Sequence, residues 1–292
     1  MHFCYFLVVL NELWYIKERD GYRAGQKGGV SLLKNISLKG TYALVTGASS
    51  GLGYAMAEGL AEAGAAVALA SRTGSTLMDA VQKLRQQGCS VVGLPLDVRQ
   101  EQSVDEAVQW VRKEWGRLDV LVNNAGIGMK TVNPDFLTEP QPFFQVMPEK
   151  FRDLIDTNVT GYFLVSRRFA PLMIEQGKGK IINITMNHET MRRKGFVPYG
   201  PSRAATESLS YIMAEDLKEY HIDVNMLLPG GATATGMIPE ETRRTIETKV
   251  RLLDPKVMAE PAVFLASRES DGMTGERIVA SEFEDWLKNK RM

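Results

Sequence analysis

The sequence predicts an α/β fold: a doubly wound, parallel sheet of about seven strands with helices on both faces. Three observations predict it. Short apolar runs alternate with helical patterns along the chain. A glycine-rich turn joins the first run to a helical pattern. The composition is that of an ordinary globular protein, with 44% hydrophobic and 24% charged residues. Since no linker interrupts the pattern, we interpret residues 32–292 as one domain.

The predicted strands are short apolar runs separated by helical patterns, which is the arrangement that gives a parallel sheet covered on both faces. They lie at 42–46, 66–71, 90–96, 118–123, 180–185, 222–228 and 278–279.

Residues 1–31 differ from the rest of the chain, and we interpret them as an extension of doubtful structure. Residues 3–10 form an apolar run of eight, whereas a membrane-spanning helix needs ~20 apolar residues. The run lacks the basic start and small-residue cleavage site of a secretory signal. The extension is open to another interpretation, that it is not translated natively: Lys27-Gly28-Gly29 can be encoded by a purine-rich, ribosome-binding-like stretch, with Leu32 as the start. We expect a cytoplasmic protein without a membrane partner.

Charge and cysteine content exclude several classes of protein. The chain has 35 basic and 35 acidic residues, whereas a nucleic-acid-binding protein usually has a basic excess. Two cysteines and three histidines, with no CxxC motif, disfavour a disulfide framework and a metal site. We therefore expect neither a nucleic-acid partner nor a metal.

The turn after the first strand has the pattern of a dinucleotide-binding loop. Gly47 allows a tight turn, Gly51 lets the backbone approach a pyrophosphate, and Gly53 lets the following helix pack on the strand. The amino end of that helix presents N–H groups and a positive dipole to phosphates. The alternative is an ordinary strand-to-helix turn.

The end of the second strand indicates which nicotinamide cofactor is bound. An acidic residue there would bind the ribose 2′-hydroxyl of NAD, but the chain has Ser71-Arg72-Thr73. Because arginine and hydroxyl groups suit a 2′-phosphate, NADP(H) is the preferred cofactor, and NAD(H) stays open. The alternative is a solvated arginine.

Six motifs follow one another along residues 38–280. They are Thr46-Gly47-Ala48-Ser49-Ser50-Gly51-Leu52-Gly53, Asp97-Val98, Asn123-Asn124-Ala125-Gly126, Asn158, Tyr199 and Pro229-Gly230. In this order and spacing they resemble the motifs of the short-chain dehydrogenase/reductase family. The resemblance implies a Rossmann-type fold, a homodimer or homotetramer, and hydride transfer between a nicotinamide and a carbonyl or alcohol carbon.

The resemblance also implies which residues bind the cofactor. Either Thr233 or Thr235, after the Pro-Gly turn, would reach the cofactor amide. The full set of implied cofactor residues is Gly47, Ser49, Ser50, Gly51, Leu52, Gly53, Ser71, Arg72, Thr73, Asp97, Val98, Asn124, Ala125, Gly126, Tyr199, Arg203, Pro229, Gly230, Thr233 and Thr235.

The expected catalytic pair departs from the family pattern. Tyr199 would exchange a proton with the substrate oxygen, which needs a tyrosine pKa below the usual ~10. The family's Tyr-x-x-x-Lys is here Tyr199-Gly-Pro-Ser-Arg203. Both side chains share a helix face, so the cation is retained, but arginine is bulkier, planar and never deprotonated. Asn158 would support the proton relay.

The family's catalytic serine is also replaced. Thirteen residues before Tyr199 the chain has Met186, whose thioether cannot donate a hydrogen bond. Thr185 or Asn187 is a candidate substitute, unless each is bonded to backbone at the strand end. His188 is a candidate second acid/base group, unless it is an ordinary surface histidine.

Two segments are expected on the substrate side. Residues 126–151 contain Pro134, Pro140 and Pro142, which argue against a continuous helix, and form either a lid or a surface insertion. Residues 187–198 contain Arg192-Arg193-Lys194, which would attract an anionic substrate or form a solvated turn.

The sequence therefore predicts an NADP(H)-dependent oxidoreductase acting on a small carbonyl or alcohol substrate that is polar or anionic, such as a sugar, a sugar acid or an acyl group on an acidic carrier. The two departures leave a second interpretation open: a cofactor-binding sensor or structural subunit with little or no turnover.

Overall fold

The structure is a computed structural model that describes residues 36–72, 74–238 and 252–290. The extension over residues 1–31 and the predicted cofactor residue Thr73 lie outside the described residues.

Seven parallel strands form one sheet in the order β3-β2-β1-β4-β5-β6-β7. This confirms the predicted fold class, and every predicted strand is present with bounds shifted by at most two residues. Because the chain crosses from β3 at one edge to β4 beside β1, the order reverses at β1, the place where such sheets bind ligands. The strands are β1 (Tyr42–Thr46), β2 (Ala66–Ser71), β3 (Val91–Pro95), β4 (Val120–Asn123), β5 (Gly179–Ile184), β6 (Ile222–Leu228) and β7 (Arg277–Val279).

Helices cover both faces of the sheet. A π-helical turn, Asp156–Thr160, joins α4 to α5. Among the described helices, none combines the length and apolar character needed to cross a membrane. The helices are α1 (Gly51–Glu62), α2 (Ser75–Gln86), α3 (Glu101–Glu114), α4 (Pro148–Ile155), α5 (Gly161–Glu175), α6 (His188–Met191), α7 (Tyr199–Leu217), α8 (Ala259–Ala266) and α9 (Phe283–Lys290).

The core lies on both faces of the sheet, and β1 shows why its sequence is apolar without alternation. Ala43, Leu44 and Val45 are all fully buried. Ala43 and Val45 pack in one apolar cluster, while Leu44 packs in the cluster on the opposite face. A strand that is buried on both faces has a continuous apolar sequence. This is why the apolar run at 42–46 predicted a strand correctly.

The segment between β4 and α4 contains short turns in place of a long helix, as its prolines predict. Two 3₁₀ turns, Met129–Thr131 and Phe143–Gln145, interrupt it, and α4 begins only at Pro148. Proline is tolerated at the first helical position because its missing N–H would be unpaired there.

Candidate active site

The glycine loop after β1 depends on glycine for its backbone conformation and for its packing. Gly47 and Gly51 have φ of +65° and +59°, the left-handed region that favours glycine. A Cβ on Gly53 would collide with the Gly47 carbonyl oxygen and the Asn124 amide. Gly47 thus has the turn geometry and Gly53 the close packing that the sequence predicts, while the approach of a pyrophosphate to Gly51 stays a prediction.

The loop after β4, which contains Asn124, is hydrogen-bonded directly to the glycine loop. The Thr46 hydroxyl accepts hydrogen bonds from the backbone N–H groups of Asn124 (2.9 Å) and Ala125 (3.0 Å). The Asn124 side-chain amide donates to the Thr46 and Gly47 carbonyls, at 2.9 and 3.2 Å. These bonds hold the ends of β1 and β4 together, which brings the predicted cofactor residues of both loops to one edge.

The amino end of α1 suits an anion. Its N-cap residue Ser50 makes no side-chain capping bond, and its first turn has no acidic residue. The N–H groups and positive dipole of a 12-residue helix are thus available to phosphate oxygens. A Cβ on Gly51 would lie 3.4 Å from the Thr235 methyl, so Thr235 faces this loop. Thr233 instead is buried and bonds the Gly231 carbonyl.

The residues expected around an adenosine ribose lie together at the end of β2. The Ser49 and Ser71 hydroxyls are 3.3 Å apart. Arg72 is exposed, and its charge contributes to an Asp97 pKa below its ordinary value, after the larger effect of the Arg99 hydrogen bonds. Asp97 therefore stays ionised beside Arg72. The group combines hydroxyls with an exposed cation, which are the donors that a 2′-phosphate would use.

Tyr199 and Arg203 lie on the first two turns of α7, at the carboxyl edge of β5. The Tyr199 hydroxyl is 3.9 Å from the Met237 sulfur, and the Arg203 guanidinium carbon lies 5.3 Å from the Tyr199 ring centre. Arg203 is only 2% exposed. Burial alone would lower its pKa, but the Tyr162 and Tyr199 hydroxyls beside it hold the pKa above the ordinary value. The site therefore contains a permanent buried cation against the tyrosine ring.

Asn158 lies in the π-helical turn and is fully buried. Its side chain bonds both backbone groups of Ile127: it accepts from the N–H at 2.8 Å and donates to the carbonyl at 2.9 Å. The Asn158 carbonyl accepts from the Thr206 hydroxyl of α7 at 3.1 Å. Asn158 thus fixes the chain after Gly126 and links it to the helix that carries Tyr199.

An apolar cluster occupies the position where the family has its serine. Met186 is 9% exposed and packs with Met129, Phe136 and Phe196, and the Tyr199 ring contacts the same cluster. The two expected substrate-side segments meet here, since Phe136 stacks edge-on against Phe196 with ring centres 5.7 Å apart. The 126–151 segment therefore packs over the loop that precedes Tyr199.

The two candidate substitutes for serine make bonds that do not involve Tyr199. The Thr185 hydroxyl donates to the Glu207 carboxylate at 2.8 Å. The Asn187 amide donates to the Gly230 carbonyl at 3.1 Å, which ties the loop to the Pro229-Gly230 turn. The backbone-bonded alternative therefore describes Asn187, while Thr185 has a carboxylate partner that sequence reasoning missed.

Glu207 is the centre of a network that sequence reasoning did not identify. It is 7% exposed and accepts bonds from Thr185, from Arg277 at 2.9 Å, and from the His188 ring at 2.9 Å. Arg277 also donates to the Met186 carbonyl at 2.8 Å. The available signal was spacing, because Glu207 follows Arg203 by four residues and so shares its buried helix face. The network fixes the backbone of residues 185–188.

Replacing Glu207 by glutamine should destabilise the fold by ~2–4 kcal/mol at neutral pH, because Arg277 loses a buried ionic partner. Burial alone would raise the Glu207 pKa, but its Arg277, His188 and Thr185 donors hold the pKa below the ordinary value. Such a carboxylate stabilises the native state above its unfolded pKa, ~4.3, and loses that contribution as pH falls. Urea unfolding of both proteins should therefore show a difference that shrinks below that pH.

The matched control for this substitution is Glu215→Gln, an exposed glutamate on the same helix. It should change the unfolding free energy by less than ~0.5 kcal/mol. A Glu207→Gln effect that is equally small, or that grows as pH falls, would contradict the network's role.

The basic cluster at 192–194 lies beside the apolar cluster. Arg192 and Lys194 are exposed. The Arg193 guanidinium carbon lies 5.2 Å from the Phe196 ring centre. In the part of the chain that the structure describes, no group of three or more His, Cys, Asp or Glu side chains has the arrangement of a metal site.

Comparisons with known proteins identify the family. The family model described as short chain dehydrogenase matches residues 41–245. The 5-keto-D-gluconate 5-reductase of Escherichia coli (strain K12) is 33% identical over 248 residues, covering 82% of this chain and 93% of that protein.

Solved structures that resemble this chain indicate the same family. The gluconate 5-dehydrogenase of Burkholderia cenocepacia J2315, in complex with NADP and tartrate, has a TM-score of 0.74 and 29% identity, covering 87% of this chain and 98% of that one. The 3-ketoacyl-(acyl-carrier-protein) reductase of Brucella melitensis, complexed with NADH, has a TM-score of 0.71 and 30% identity, covering 83% and 97%. The chain therefore belongs to the short-chain dehydrogenase family and is an oxidoreductase of the class that acts on CH–OH groups.

Proposed function

We propose that the protein is an NADP(H)-dependent oxidoreductase that interconverts a carbonyl and an alcohol, with Tyr199 as the general acid/base and Arg203 as its cation. The observation that carries the proposal is the buried guanidinium of Arg203, 5.3 Å from the Tyr199 ring, at the carboxyl edge of the sheet. A fixed cation beside a tyrosine favours the phenolate that forms when the tyrosine gives up its proton.

The residues present fit a dinucleotide. The glycine loop, the uncapped amino end of α1 and the Ser49, Ser71 and Arg72 group provide for the phosphates and ribose. When bound, the nicotinamide supplies a hydride to the carbonyl carbon or accepts one from the alcohol carbon. NADP(H) is the proposed preference, because Arg72 follows β2 where an NAD-binding protein would have an acidic residue. The gluconate dehydrogenase neighbour with NADP supports it, and the NADH-bound neighbour leaves NAD(H) open.

In the reductive direction Tyr199 donates its hydroxyl proton to the substrate oxygen, and in the oxidative direction it accepts a proton from the alcohol. Arg203 stabilises the phenolate by its charge and stays protonated throughout. Asn158 holds the backbone at Ile127 against α7, which keeps the loop after β4 in register with Tyr199. Met186 donates no hydrogen bond, so Tyr199 is the main hydrogen-bond donor to the substrate oxygen. Thr185 or Asn187 assists if its side chain leaves its present partner.

For the substrate we propose a small polar or anionic compound of the sugar-acid class. The relatives named for keto-gluconate and gluconate support it, as does the charge of Arg192 and Lys194 near the loop before Tyr199. An acyl group on an acidic carrier is the second candidate, supported by the neighbour named as a 3-ketoacyl reductase.

We also propose that the enzyme works in the cytoplasm as a homodimer or homotetramer. Support for assembly comes from exposed apolar side chains on α5 and α7, namely Phe163, Tyr211 and Ile212. Cys89, a free thiol, suits a reducing compartment.

Replacing Arg72 by glutamine should weaken NADPH binding by ~10–100-fold and leave NADH binding within about twofold, because a charge-assisted contact to a phosphate contributes ~1.5–3 kcal/mol. Titration of cofactor fluorescence measures both dissociation constants. Arg268→Gln, an exposed arginine beyond α8, is the matched control. If both cofactors weaken equally, Arg72 does not read the 2′-phosphate.

The function itself is tested by following NADPH absorbance with a panel of keto-sugar acids, ketones, aldehydes and acyl thioesters, and NADP⁺ with the corresponding alcohols. We expect turnover with at least one class, faster with NADP(H) than with NAD(H). Tight NADPH binding with no turnover in either direction would instead support the sensor or structural subunit, which Met186 in the serine position favours.

A further inference from the structure

Tyr162 lies beneath the Arg203 guanidinium, on the first turn of α5. It is 1% exposed, and its hydroxyl accepts a hydrogen bond from Arg203 Nη1 at 3.0 Å. The guanidinium carbon lies 5.6 Å from the Tyr162 ring centre and 5.3 Å from the Tyr199 ring centre. Arg203 is therefore in contact with two tyrosine rings, one of which belongs to a different helix.

The remaining contacts of Arg203 are as specific. Nη1 also donates to the Ile184 carbonyl at the end of β5, at 2.9 Å. The Tyr162 hydroxyl donates to the same carbonyl at 3.3 Å, so Arg203, Tyr162 and the Ile184 carbonyl are all hydrogen-bonded to one another. On the other side, a Cβ on Gly126 would lie 2.6 Å from Arg203 Nη2. Both of these Arg203 hydrogen bonds therefore leave from Nη1, while the buried Nε makes none to the described residues.

A lysine would fit this pocket poorly. An ammonium is a compact point charge with three donors, while a guanidinium is planar, stacks on aromatic rings and bonds from a rigid fork. An ammonium could donate to the Tyr162 hydroxyl and the Ile184 carbonyl, but it has no plane to lie against both tyrosine rings and no second group to fill the space beside Gly126. The arginine is therefore matched by its surroundings.

We propose that Tyr162 is a positioning residue for the reaction: it holds the Arg203 guanidinium against Tyr199, so that the site is built for arginine and not for lysine. The inference rests on the proposed function for its catalytic meaning. The contact itself is testable without turnover, since Tyr162 and Arg203 must then be coupled in stability and in cofactor binding.

The test is a double-mutant cycle of Tyr162→Phe, Arg203→Lys and the double variant in the full-length protein. Phenylalanine keeps the ring and removes the hydroxyl. With NADPH and 5-keto-D-gluconate, or the fastest substrate of the panel, we expect kcat to fall ~10-fold in Tyr162→Phe and ~100-fold in Arg203→Lys. The double variant should fall no further than Arg203→Lys, within about twofold, because contacting residues are non-additive.

The pH profile of kcat distinguishes a positioning role from a merely structural one, because a structural role would not change it. If the cation is held less firmly beside Tyr199, the midpoint of the profile in Tyr162→Phe should move to higher pH, by ~0.5–1 unit, with KM within about twofold. Tyr220→Phe, an exposed tyrosine in the turn after α7, should leave kcat and the midpoint unchanged. An unchanged midpoint with wild-type kcat in Tyr162→Phe would overturn the proposal.

The same double-mutant cycle is also measured by thermal unfolding and by NADPH dissociation constants. Neither measurement needs a substrate. Non-additive losses there support the contact; additive losses overturn it. If Tyr162→Phe unfolds, the Arg203→Lys variant alone decides: we expect lower kcat and lower Tm, and activity at or above the wild type would show a site that accepts lysine. If the wild type binds NADPH without turning over any compound, the proposed function fails, while the unfolding cycle still decides the pairing.

Discussion

Replacing Tyr199 by phenylalanine is expected to lower kcat by ~10³–10⁴-fold while leaving the NADPH dissociation constant within about twofold. The substitution keeps the ring that stacks on Arg203 and removes the hydroxyl that exchanges the proton. The hydroxyl lies 3.9 Å from the Met237 sulfur, a weak bond, and beside the Arg203 guanidinium, which keeps its bonds to Tyr162 and Ile184, so its loss should leave the fold intact.

Steady-state kinetics and NADPH fluorescence titration measure the two quantities for this variant. Tyr220→Phe, an exposed tyrosine in the turn that follows the same helix, is the matched control and should keep full activity. A Tyr199→Phe enzyme with more than about a tenth of wild-type kcat would mean that another group handles the proton. In that case His188, half-exposed and bonded to Glu207, is the next residue to replace.

Replacing Arg203 by methionine should lower kcat by ~10²–10³-fold, because the phenolate loses its cation. The free energy of unfolding should fall by only ~1–3 kcal/mol. The groups that lose their donor are a hydroxyl and a carbonyl, so no buried charge is left unpaired. Methionine fills much of the vacated volume.

Kinetics and urea unfolding of the Arg203→Met variant separate the two effects. Arg112→Met is the matched control: this arginine pairs with Glu175 on the surface, with 43% of its side chain exposed, and should change neither quantity measurably. If Arg203→Met loses stability but keeps kcat, then the buried cation is a structural group and the proposed mechanism is wrong.

Much of the fold was predictable because both faces of the sheet are covered. Strands such as β1 and β4 are buried along nearly all of their length, so apolar runs mark them directly. The glycine loop was predictable for a related reason, since backbone geometry at Gly47 and close packing at Gly53 leave little choice of residue.

The contacts of the predicted site residues were not predictable. Tyr162 precedes Arg203 by 41 residues and lies on another helix, and no local pattern reveals a bond of that span. Glu207 receives donors from the end of β5, from α6 and from β7, which only the folded sheet brings together. Sequence spacing identifies a tyrosine and an arginine on one helix face; tertiary packing determines what each of them bonds.

The central claim is that this chain transfers a hydride between NADPH and a carbonyl carbon with Tyr199 as the acid. The most direct measurement uses NADPH deuterated at the transferred position of C4, with the substrate found in the panel, and the mass of the product alcohol. We expect one deuterium in each product molecule formed by the wild type and no detectable product from Tyr199→Phe at the same enzyme concentration. NADPH bound by the wild type without any deuterated product, or equal product from both proteins, would contradict it.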